Sequence, residues 1–435
     1  MKSTLLVIIL LFLGGGITVF AQDTLELATA VQIGLENNFD IKIAQGQQQI
    51  SENNNTLGNA GFLPTLDLAA SQRYTIENTT QQFISGDQQN RNGAKSNNLS
   101  AGAAFNWVLF DGTSMFHTKN RLEALEQQGI AISESVVQNT VAQIAKDFYT
   151  VALEQIRLGL LEENIGLSEE RLDIAKNKYE FGKSSKIEYL QAQVDLNNDK
   201  SNYLIQQENL AARKTALNEL LGRDVTQDFY VVFDPELNTD LKYEDLRNAM
   251  ETNNPELMAS QYQVNASRFV QKELFGERVP EIGVNFGYNY AKSEAQAGFL
   301  LSRQSSGITY GVTAAWNIFD GFNLNRRIQN AKIDAENSEL NFNSVKLSLE
   351  RELYTIFINY SNNIQLRTME QANLEVAREN NEIAIERYRV GNSSPLELRE
   401  AQLNLLEANL RLLNAAYSIK TGEIDLLLLA GLLME

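Results

Sequence analysis

The chain has 435 residues, no cysteine, a single histidine and a formal net charge of −18 at pH 7. The lack of cysteine excludes disulfides and thiolate metal sites, and the acidic charge argues against nucleic acid or anionic lipid as partners. A two-histidine zinc motif is excluded, and a Ser-His-Asp triad would depend on His117 alone. We therefore predict no catalytic residue, no cofactor and no metal site, and we expect His117 to be a surface helix residue.

The first residues have the pattern of a secretory signal peptide. A lysine near the start precedes an apolar run at 5–13, and Val19 and Ala21 supply small side chains at the −3 and −1 positions of a cleavage site. The run is too short for a membrane-spanning helix, and no cysteine follows it that could carry a lipid. We predict a signal peptide at 1–21 and a single mature domain at 22–435.

The mature sequence repeats itself once, which predicts two tandem copies of one structural unit. We place the first repeat at 22–224 and the second at 240–435. Three motif pairs lie 209 positions apart, and a fourth pair lies 216 positions apart. These pairs are WVLFDG at 107–112 with WNIFDG at 316–321, YEFGKSSKIEYLQAQ at 179–193 with YRVGNSSPLELREAQ at 388–402, LLG at 220–222 with LAG at 429–431, and ENNFDI at 36–41 with TNNPEL at 252–257.

Each repeat is predicted to contain a first helix, a very long helix and a shorter closing helix. Apolar residues recur at spacings of three and four in both long helices, as on the packed face of a helix. Helices well beyond about 20 residues are typical of bundles and coiled coils. The predicted ranges are 26–57, 113–180 and 185–221 in the first repeat, and 243–275, 322–388 and 395–430 in the second, where Asn254-Pro255 starts a new helix after a break.

Two segments of alternating pattern precede each long helix, and all four are predicted to be strands. They lie near 66–76, 99–109, 280–290 and 308–318, with polar loops at 77–97 and 291–306. Strands of about ten residues that are apolar on one face and small or polar on the other are typical of outer-membrane barrels; a soluble sandwich is the alternative. Four strands cannot close a barrel, and an open edge is not tolerated in lipid, so the chain should oligomerise.

This arrangement resembles the TolC-type outer-membrane efflux proteins over residues 24–431. The residues that carry the resemblance are Tyr179-x-x-Gly182, Tyr388-x-x-Gly391 and the two FDG turns. The resemblance implies a mixed α and β membrane protein of two tandem repeats, each a β-hairpin plus long antiparallel helices. It also implies a homotrimer with a 12-stranded barrel in the outer membrane, continued by an α-helical barrel in the periplasm.

The function implied by the resemblance is that of a passive outer-membrane exit duct of a tripartite efflux or type I secretion system. Such a duct is coupled through a periplasmic adaptor protein to an inner-membrane pump. A structural or adhesive trimer that spans the periplasm without transport is the alternative, and an outer-membrane enzyme is a third possibility. The resemblance does not decide which cargo is exported: drugs, metal ions, siderophores and polypeptides are all alternatives.

The resemblance also assigns roles to individual residues. The helix-hairpin tips are expected to contact the adaptor through Gly182, Lys183, Ser184, Ser185, Gly391, Asn392, Ser393, Ser394 and Pro395. Glycine is expected to turn the chain at each tip, and the serines are expected to cap the returning helices. A periplasmic gate is expected at Tyr388, Glu397 and Glu400. The family more often has aspartate at the last two positions, and Arg399 could pair with either glutamate.

Overall fold

The computed structural model describes residues 24–232 and 237–434, so the predicted signal peptide at 1–21 lies outside the described residues. Eight helices and six strands occur in this part of the chain. In chain order they are β1 (Thr24–Leu25), α1 (Leu27–Asn37), α2 (Phe39–Asn54), β2 (Thr65–Gln82), β3 (Gln88–Phe110), α3 (Ser114–Glu180), α4 (Lys186–Leu220), β4 (Tyr230–Val231), α5 (Tyr243–Asn253), α6 (Pro255–Gly276), β5 (Glu281–Ala295), β6 (Ser302–Ala315), α7 (Asn323–Arg389) and α8 (Pro395–Ala430).

The same order of elements occurs twice: two short helices, a strand pair, a 67-residue helix and a helix of 35 or 36 residues. The predicted single helix at 26–57 is wrong, because α1 ends and α2 begins on either side of Asn38. The second repeat shows the same break at Asn254, where Pro255 made it visible in the sequence. Phe39 occupies the proline position in the first repeat and gives no such signal.

The four long strands form one antiparallel sheet in the order β2-β3-β5-β6. They are longer than predicted, at 18, 23, 15 and 14 residues, and most of the predicted loop at 77–97 is strand. Polar residues there still pair across the hairpin, from Thr79 opposite Arg91 to Gln82 opposite Gln88. The alternation of apolar and polar residues identified only part of each strand. A segment that is polar on both faces lacks this pattern, yet it forms the same backbone hydrogen bonds and so extends the strand.

The predicted alternation of apolar and polar residues along the strands is confirmed by the register in which the strands pair. Phe286 lies between Phe105 on β3 and Tyr310 on β6, so aromatic side chains meet on one face. The other face combines small and polar groups: a Cβ at Gly311 would lie 2.9 Å from the side-chain oxygen of Asn285. Among the described residues, none of the helices has a stretch apolar and long enough to cross a membrane.

The described residues form two compact units, and each unit draws on both repeats. Unit 1 takes the described residues of Met1–Phe39, Thr140–Asp240 and Ile358–Asp425. Unit 2 takes those of Asp40–Asn139, Leu241–Phe357 and Leu426–Glu435. Unit 2 contains the four-stranded sheet, and unit 1 contains the turns between the long helices and the helices that follow them.

Within each unit, the second asparagine of the repeated Asn-Asn motif hydrogen-bonds to the end of the closing helix. In unit 1 the Asn38 side chain donates to the carbonyl oxygen of Leu220 at 2.8 Å, at the end of α4. In unit 2 the Asn254 side chain donates to Leu429 at 3.0 Å and accepts from the Leu257 amide at 2.9 Å. Each asparagine therefore satisfies a carbonyl at the C-terminus of the closing helix, where carbonyls lack partners within the helix.

Replacing Gly431 should destabilise unit 2 more than replacing a tip glycine does. Gly431 has φ of +70°, and an added Cβ would lie 2.5 Å from the Asn253 carbonyl oxygen. Gly391 has φ of +85° with no atom within 4 Å of an added Cβ. We expect Gly391→Ala to lower the free energy of unfolding by about 1–2 kcal/mol, from backbone conformation alone. Gly431→Ala should lower it clearly more, because the added Cβ also collides with the Asn253 carbonyl. Denaturant unfolding of both variants measures the difference, and equal losses would contradict the close approach.

Candidate functional site: the helix hairpin tips

The two helix hairpins in unit 1 turn in the same way. Gly182 and Gly391 have φ of +71° and +85°, which confirms the predicted left-handed turn. The amide of Lys183 donates to the Lys178 carbonyl at 2.7 Å, and the amide of Asn392 donates to the Arg387 carbonyl at 2.8 Å. These bonds satisfy carbonyls at the ends of α3 and α7 and fix the direction of the returning chain.

The two returning helices begin differently. At the second tip the Glu397 amide donates to the Ser394 hydroxyl at 3.2 Å, while the Glu397 carboxylate accepts from the Ser393 hydroxyl at 2.5 Å and the Ser394 amide at 3.4 Å. This is a capping box, and Ser394-x-x-Glu397 is its sequence signature. At the first tip Ser185 makes no side-chain cap bond, and the buried Ser184 hydroxyl has no hydrogen-bond partner in the part of the chain that the structure describes. The predicted serine caps are therefore wrong for α4 and correct for α8.

The predicted gate glutamates lie on the exposed side of α8. Hydrogen bonds from Ser393 and from the Ser394 amide lower the pKa of Glu397 below its ordinary value of 4.5. The contribution of Glu397 to the cap is thus present at neutral pH and is lost as the pH falls through this lowered pKa. Glu400 is exposed, and within the described part of the chain it makes no side-chain hydrogen bond or ion pair.

The third predicted gate residue, Tyr388, is buried rather than exposed. Its side chain is 1% exposed, and the Lys178 ammonium lies 3.6 Å from the centre of its ring. Burial and the nearby charge of Glu188 raise the pKa of Tyr388 to about 12, so the hydroxyl is protonated at any physiological pH. That hydroxyl has no hydrogen-bond partner among the described residues.

Arg399 pairs with neither gate glutamate. Its two terminal nitrogens donate to the two carboxylate oxygens of Asp199, each at 2.8 Å, and one of them also reaches the Ser168 hydroxyl at 3.2 Å. This paired geometry is the strongest that an arginine and a carboxylate form. Beside it, Arg171 donates to Asp195 at 2.6 Å with its side chain 2% exposed.

These two ion pairs, from Arg171 to Asp195 and from Arg399 to Asp199, are site features that the sequence analysis did not predict. Asp199 and Arg399 are 200 positions apart, and no spacing rule relates them. The Arg171–Asp195 pair joins α3 to α4, and the Arg399–Asp199 pair joins α8 to α4; removing one partner of either pair would leave an uncompensated, largely buried charge. The face of α8 that carries Arg399 therefore packs against α3 and α4. Glu397 and Glu400 lie on the opposite, exposed face of α8.

His117, the residue on which a catalytic triad would depend, lies in the first turn of α3. It is half-buried rather than on the surface as predicted, and its Nδ1 atom has no hydrogen-bond partner among the described residues. Its counterpart in the second repeat, 209 positions later, is Arg326. The two repeats therefore do not share a histidine function.

A family model described as "Outer membrane efflux protein" matches residues 30–223 and 246–432. Solved structures of similar fold include the CmeC outer membrane channel of Campylobacter jejuni (TM-score 0.80, 17% identity, covering 94% of this chain and 86% of that one). They also include the outer-membrane channel OprN (0.77, 18%, 93% and 89%) and the outer membrane protein VceC of Vibrio cholerae (0.75, 14%, 94% and 96%). No curated protein sequence matches this chain significantly.

The family match covers most of both repeats, including the hairpins, the long helices and both tips. The structural matches extend over nearly the whole chain at low identity, so they establish the fold. The chain therefore belongs to the outer membrane efflux protein family, a family of transport ducts rather than enzymes, and it is an outer-membrane exit duct of efflux systems.

Proposed function

We propose that three copies of the chain form this duct, with a 12-stranded barrel in the outer membrane and a helical barrel in the periplasm. The observation that carries the proposal is that β2 and β6 are the two edges of the sheet. Each edge strand leaves a row of backbone groups unpaired, and lipid offers those groups no hydrogen bond. Pairing β6 of one copy with β2 of the next satisfies both rows, and three copies give twelve strands, a number within the range of outer-membrane barrels.

Four helices of unit 2 also form a row with an outer helix at each end. Lys119 on α3 donates to Asn55 just after α2, Arg121 on α3 pairs with Glu273 on α6, and Arg268 on α6 pairs with Glu339 on α7. These helices thus follow one another as α2, α3, α6 and α7, and the short α5 contacts α7 through the pairing of Tyr243 with Tyr354 and of Arg247 with Glu350. The outer helices expose large apolar side chains seven residues apart: Ile43 and Ile50 on α2, and Ile333, Leu340 and Leu347 on α7.

Unit 1 has the corresponding edges at α4 and α7. Arg171 on α3 pairs with Asp195 on α4, Lys146 on α3 with Asp425 on α8, and Arg411 on α8 with Glu370 on α7. Apolar side chains again lie exposed on both outer helices at a spacing of seven. They are Ile187 and Val194 on α4, and Met369, Val376 and Ile383 on α7.

A spacing of seven on two free helix faces is the pattern that coiled-coil packing requires. We name the exposed α7 residues Ile333, Leu340, Leu347, Met369, Val376 and Ile383 the α7 stripe. The edges differ from each other, since one belongs to the first repeat and the other to the second. Contacts between unlike edges run head to tail and close into a ring, which supports a cyclic homotrimer.

We propose that the hairpin tips bind a periplasmic adaptor protein, which couples the duct to an inner-membrane pump. The proposed contact residues are Gly182, Lys183, Ser184, Ser185, Gly391, Asn392, Ser393, Ser394 and Pro395. Most of them are exposed, and the turns at Gly182 and Gly391 share one backbone geometry. One partner could therefore meet both repeats in equivalent ways.

Ser185→Trp should abolish efflux while leaving the amount of protein in the outer membrane unchanged, because Trp adds bulk at the proposed contact. Ser185 is exposed and makes no side-chain cap bond to α4, so its replacement removes no cap within the described part of the chain. Ser185→Ala is the matched control and should retain efflux. Efflux assays with membrane quantification test both variants, and full efflux by Ser185→Trp would place adaptor binding elsewhere.

We further propose that Glu397 and Glu400, with Tyr388 behind them, form the periplasmic gate. The two carboxylates are exposed on one side of α8, three residues apart, and the Arg399–Asp199 pair on the inward side fixes that orientation. Three copies would bring six carboxylates towards the axis. Two unit charges about 6 Å apart repel by roughly 3 kcal/mol at an effective dielectric of 20, so such a ring favours cations.

Glu397→Gln/Glu400→Gln should reduce cation selectivity and weaken block by divalent ions in single-channel recordings. Glutamine keeps the size of the side chain and removes the charge. Glu379→Gln/Glu382→Gln on α7, also exposed and three residues apart, is the matched control for loss of two negative charges on the other helix of the same hairpin. Unchanged selectivity and unchanged divalent block in the tip variant would show that the constriction lies at other residues.

A further inference from the structure

The hairpins of the two repeats pair in the same register, so their residues can be matched one to one. Thr65 on β2 lies opposite Asn106 on β3, and Glu281 on β5 lies opposite Ala315 on β6. Thr65 and Glu281 are 216 positions apart, and Asn106 and Ala315 are 209 positions apart. These are the offsets of the repeated sequence motifs. Each repeat is therefore a template for the other at the level of single residues.

One face of α3 is covered, while the matching face of α7 is bare. Ala124 on α3 lines a groove together with Tyr262 and Phe269 of α6, so α6 covers this face. The α3 residues at a spacing of seven along it are buried, at 7%, 3% and 3% exposed: Ala124, Ala131 and Gln138. The residues 209 positions later on α7 are 52%, 66% and 68% exposed: Ile333, Leu340 and Leu347.

Helices α6 and α2 show the same relation. Ala259 and Ala266 on α6 are 7% and 3% exposed, whereas Ile43 and Ile50, 216 positions earlier on α2, are 69% and 51% exposed. Glu273, seven residues beyond Ala266, pairs with Arg121 on α3, so this row of α6 faces α3. The bare faces of α2 and α7 are therefore the two halves of a contact that α3 and α6 already make inside the chain.

The two contacts differ in the size of their side chains. Alanine supplies four of the five matched residues in the internal contact, and isoleucine or leucine supplies all five on the bare faces. A contact between separate chains must offset the entropy lost on association, which a contact within one chain need not do. Isoleucine and leucine bury more apolar area than alanine does. The larger side chains are thus placed where a second copy of this chain would bind.

We infer that the seam between two copies repeats the contact between the two repeats, residue for residue. In this seam β6 and α7 of one copy bind β2 and α2 of the next, as β3 and α3 bind β5 and α6 within the chain. The inference rests on the proposed trimer and adds the register of its contacts. Ala101 on β3 lies opposite Tyr290 on β5. Adding 209 to the first number and subtracting 216 from the second places Tyr310 opposite Tyr74 of the next copy.

This register matches the chemistry of the two edge strands. Tyr310 and Tyr74 are 84% and 71% exposed in the single chain, and aromatic pairs across strands are favourable. A slip of one residue would place Tyr310 opposite Arg73 or Thr75 and turn the apolar face of β2 inward. On the polar face the same register places two pairs of hydroxyl side chains opposite each other: Thr313 with Ser71, and Thr309 with Thr75.

Cysteine cross-linking tests the register, because the chain has no cysteine of its own. Thr313→Cys/Ser71→Cys should give a covalent trimer on oxidation, since residues opposite each other in an antiparallel pair have Cα atoms about 4.5–5.5 Å apart, which a disulfide spans. The strands β2 and β6 are opposite edges of the sheet, so the two cysteines cannot pair within one chain. Thr313→Cys/Arg73→Cys is the matched control. It moves one cysteine to a diagonal position about 7–8 Å away and should lose the covalent trimer.

Native mass spectrometry of the parent chain separates this inference from the proposed trimer. A parent trimer whose variants cross-link through position 73 rather than position 71 would overturn the register and leave the trimer standing. Absence of a parent trimer would overturn both. Thr309→Cys/Thr75→Cys, with Thr309→Cys/Glu77→Cys as its control, repeats the test at a second position in case the first pair fails to assemble. A parent trimer in which neither expected pair cross-links would also overturn the inference.

Discussion

Phe286→Arg should cost about 2–4 kcal/mol of folding free energy in lipid, the amount expected for arginine on the lipid face near the middle of the bilayer. Phe286 lies midway along the alternating segment from Ile282 to Tyr290 and is half exposed in the single chain. Its cross-strand neighbours, Phe105 and Tyr310, are both aromatic. A guanidinium at this position would therefore lie among apolar groups with no partner for its charge.

Asn285→Arg is the control for that substitution, since position 285 lies one residue away on the opposite face. Gly311 lies beside Asn285 and leaves space for a longer side chain, which would extend into the aqueous interior of the proposed barrel. We expect this variant to reach the outer membrane at the level of the parent chain. Guanidine unfolding in lipid vesicles measures both variants, and equal losses would mean that the two faces are assigned the wrong way round.

Leu340→Glu/Leu347→Glu should prevent assembly of the trimer. These two members of the α7 stripe are 66% and 68% exposed in the single chain. Burying a leucine contributes about 1.5–3 kcal/mol, and a glutamate at the same position adds the cost of a buried, unpaired charge. Two such changes at each of three seams remove more free energy than a stable interface can lose.

Asn341→Glu/Ser348→Glu is the matched control, because it adds the same two charges at the same spacing. Both residues are exposed, and one residue along a helix corresponds to a rotation of about 100° away from the stripe. We expect this variant to remain trimeric. Native mass spectrometry in detergent distinguishes the two variants. A trimer that persists in the stripe variant would show that the α7 stripe is not the seam.

The long helices were predictable from the sequence because their ends carry strong local signals. The predicted range 113–180 became Ser114–Glu180, and 322–388 became Asn323–Arg389. Gly182 and Gly391 mark the C-terminal ends, where a left-handed residue turns the chain. The break at Asn38 escaped prediction because it depends on a tertiary contact, the hydrogen bond to Leu220, rather than on a proline.

The tip site was only partly predictable. Glu397 was expected to be a gate residue, yet its immediate contacts are those of a capping box that Ser394-x-x-Glu397 already indicated. The burial of Tyr388 and the pairing of Arg399 with Asp199 depend on how α3, α4, α7 and α8 meet in unit 1. Such contacts join residues about 200 positions apart, and helical periodicity in one sequence carries no information about them.

Single-channel recording of the purified mature chain in planar lipid bilayers tests the central claim, that the assembled chain is a duct. The sample is first shown to be trimeric by native mass spectrometry. We predict discrete, cation-selective conductance steps from this trimer, and none from Leu340→Glu/Leu347→Glu at the same protein concentration. A stable trimer that inserts into the bilayer and carries no current would contradict the account and favour a structural role in the cell envelope.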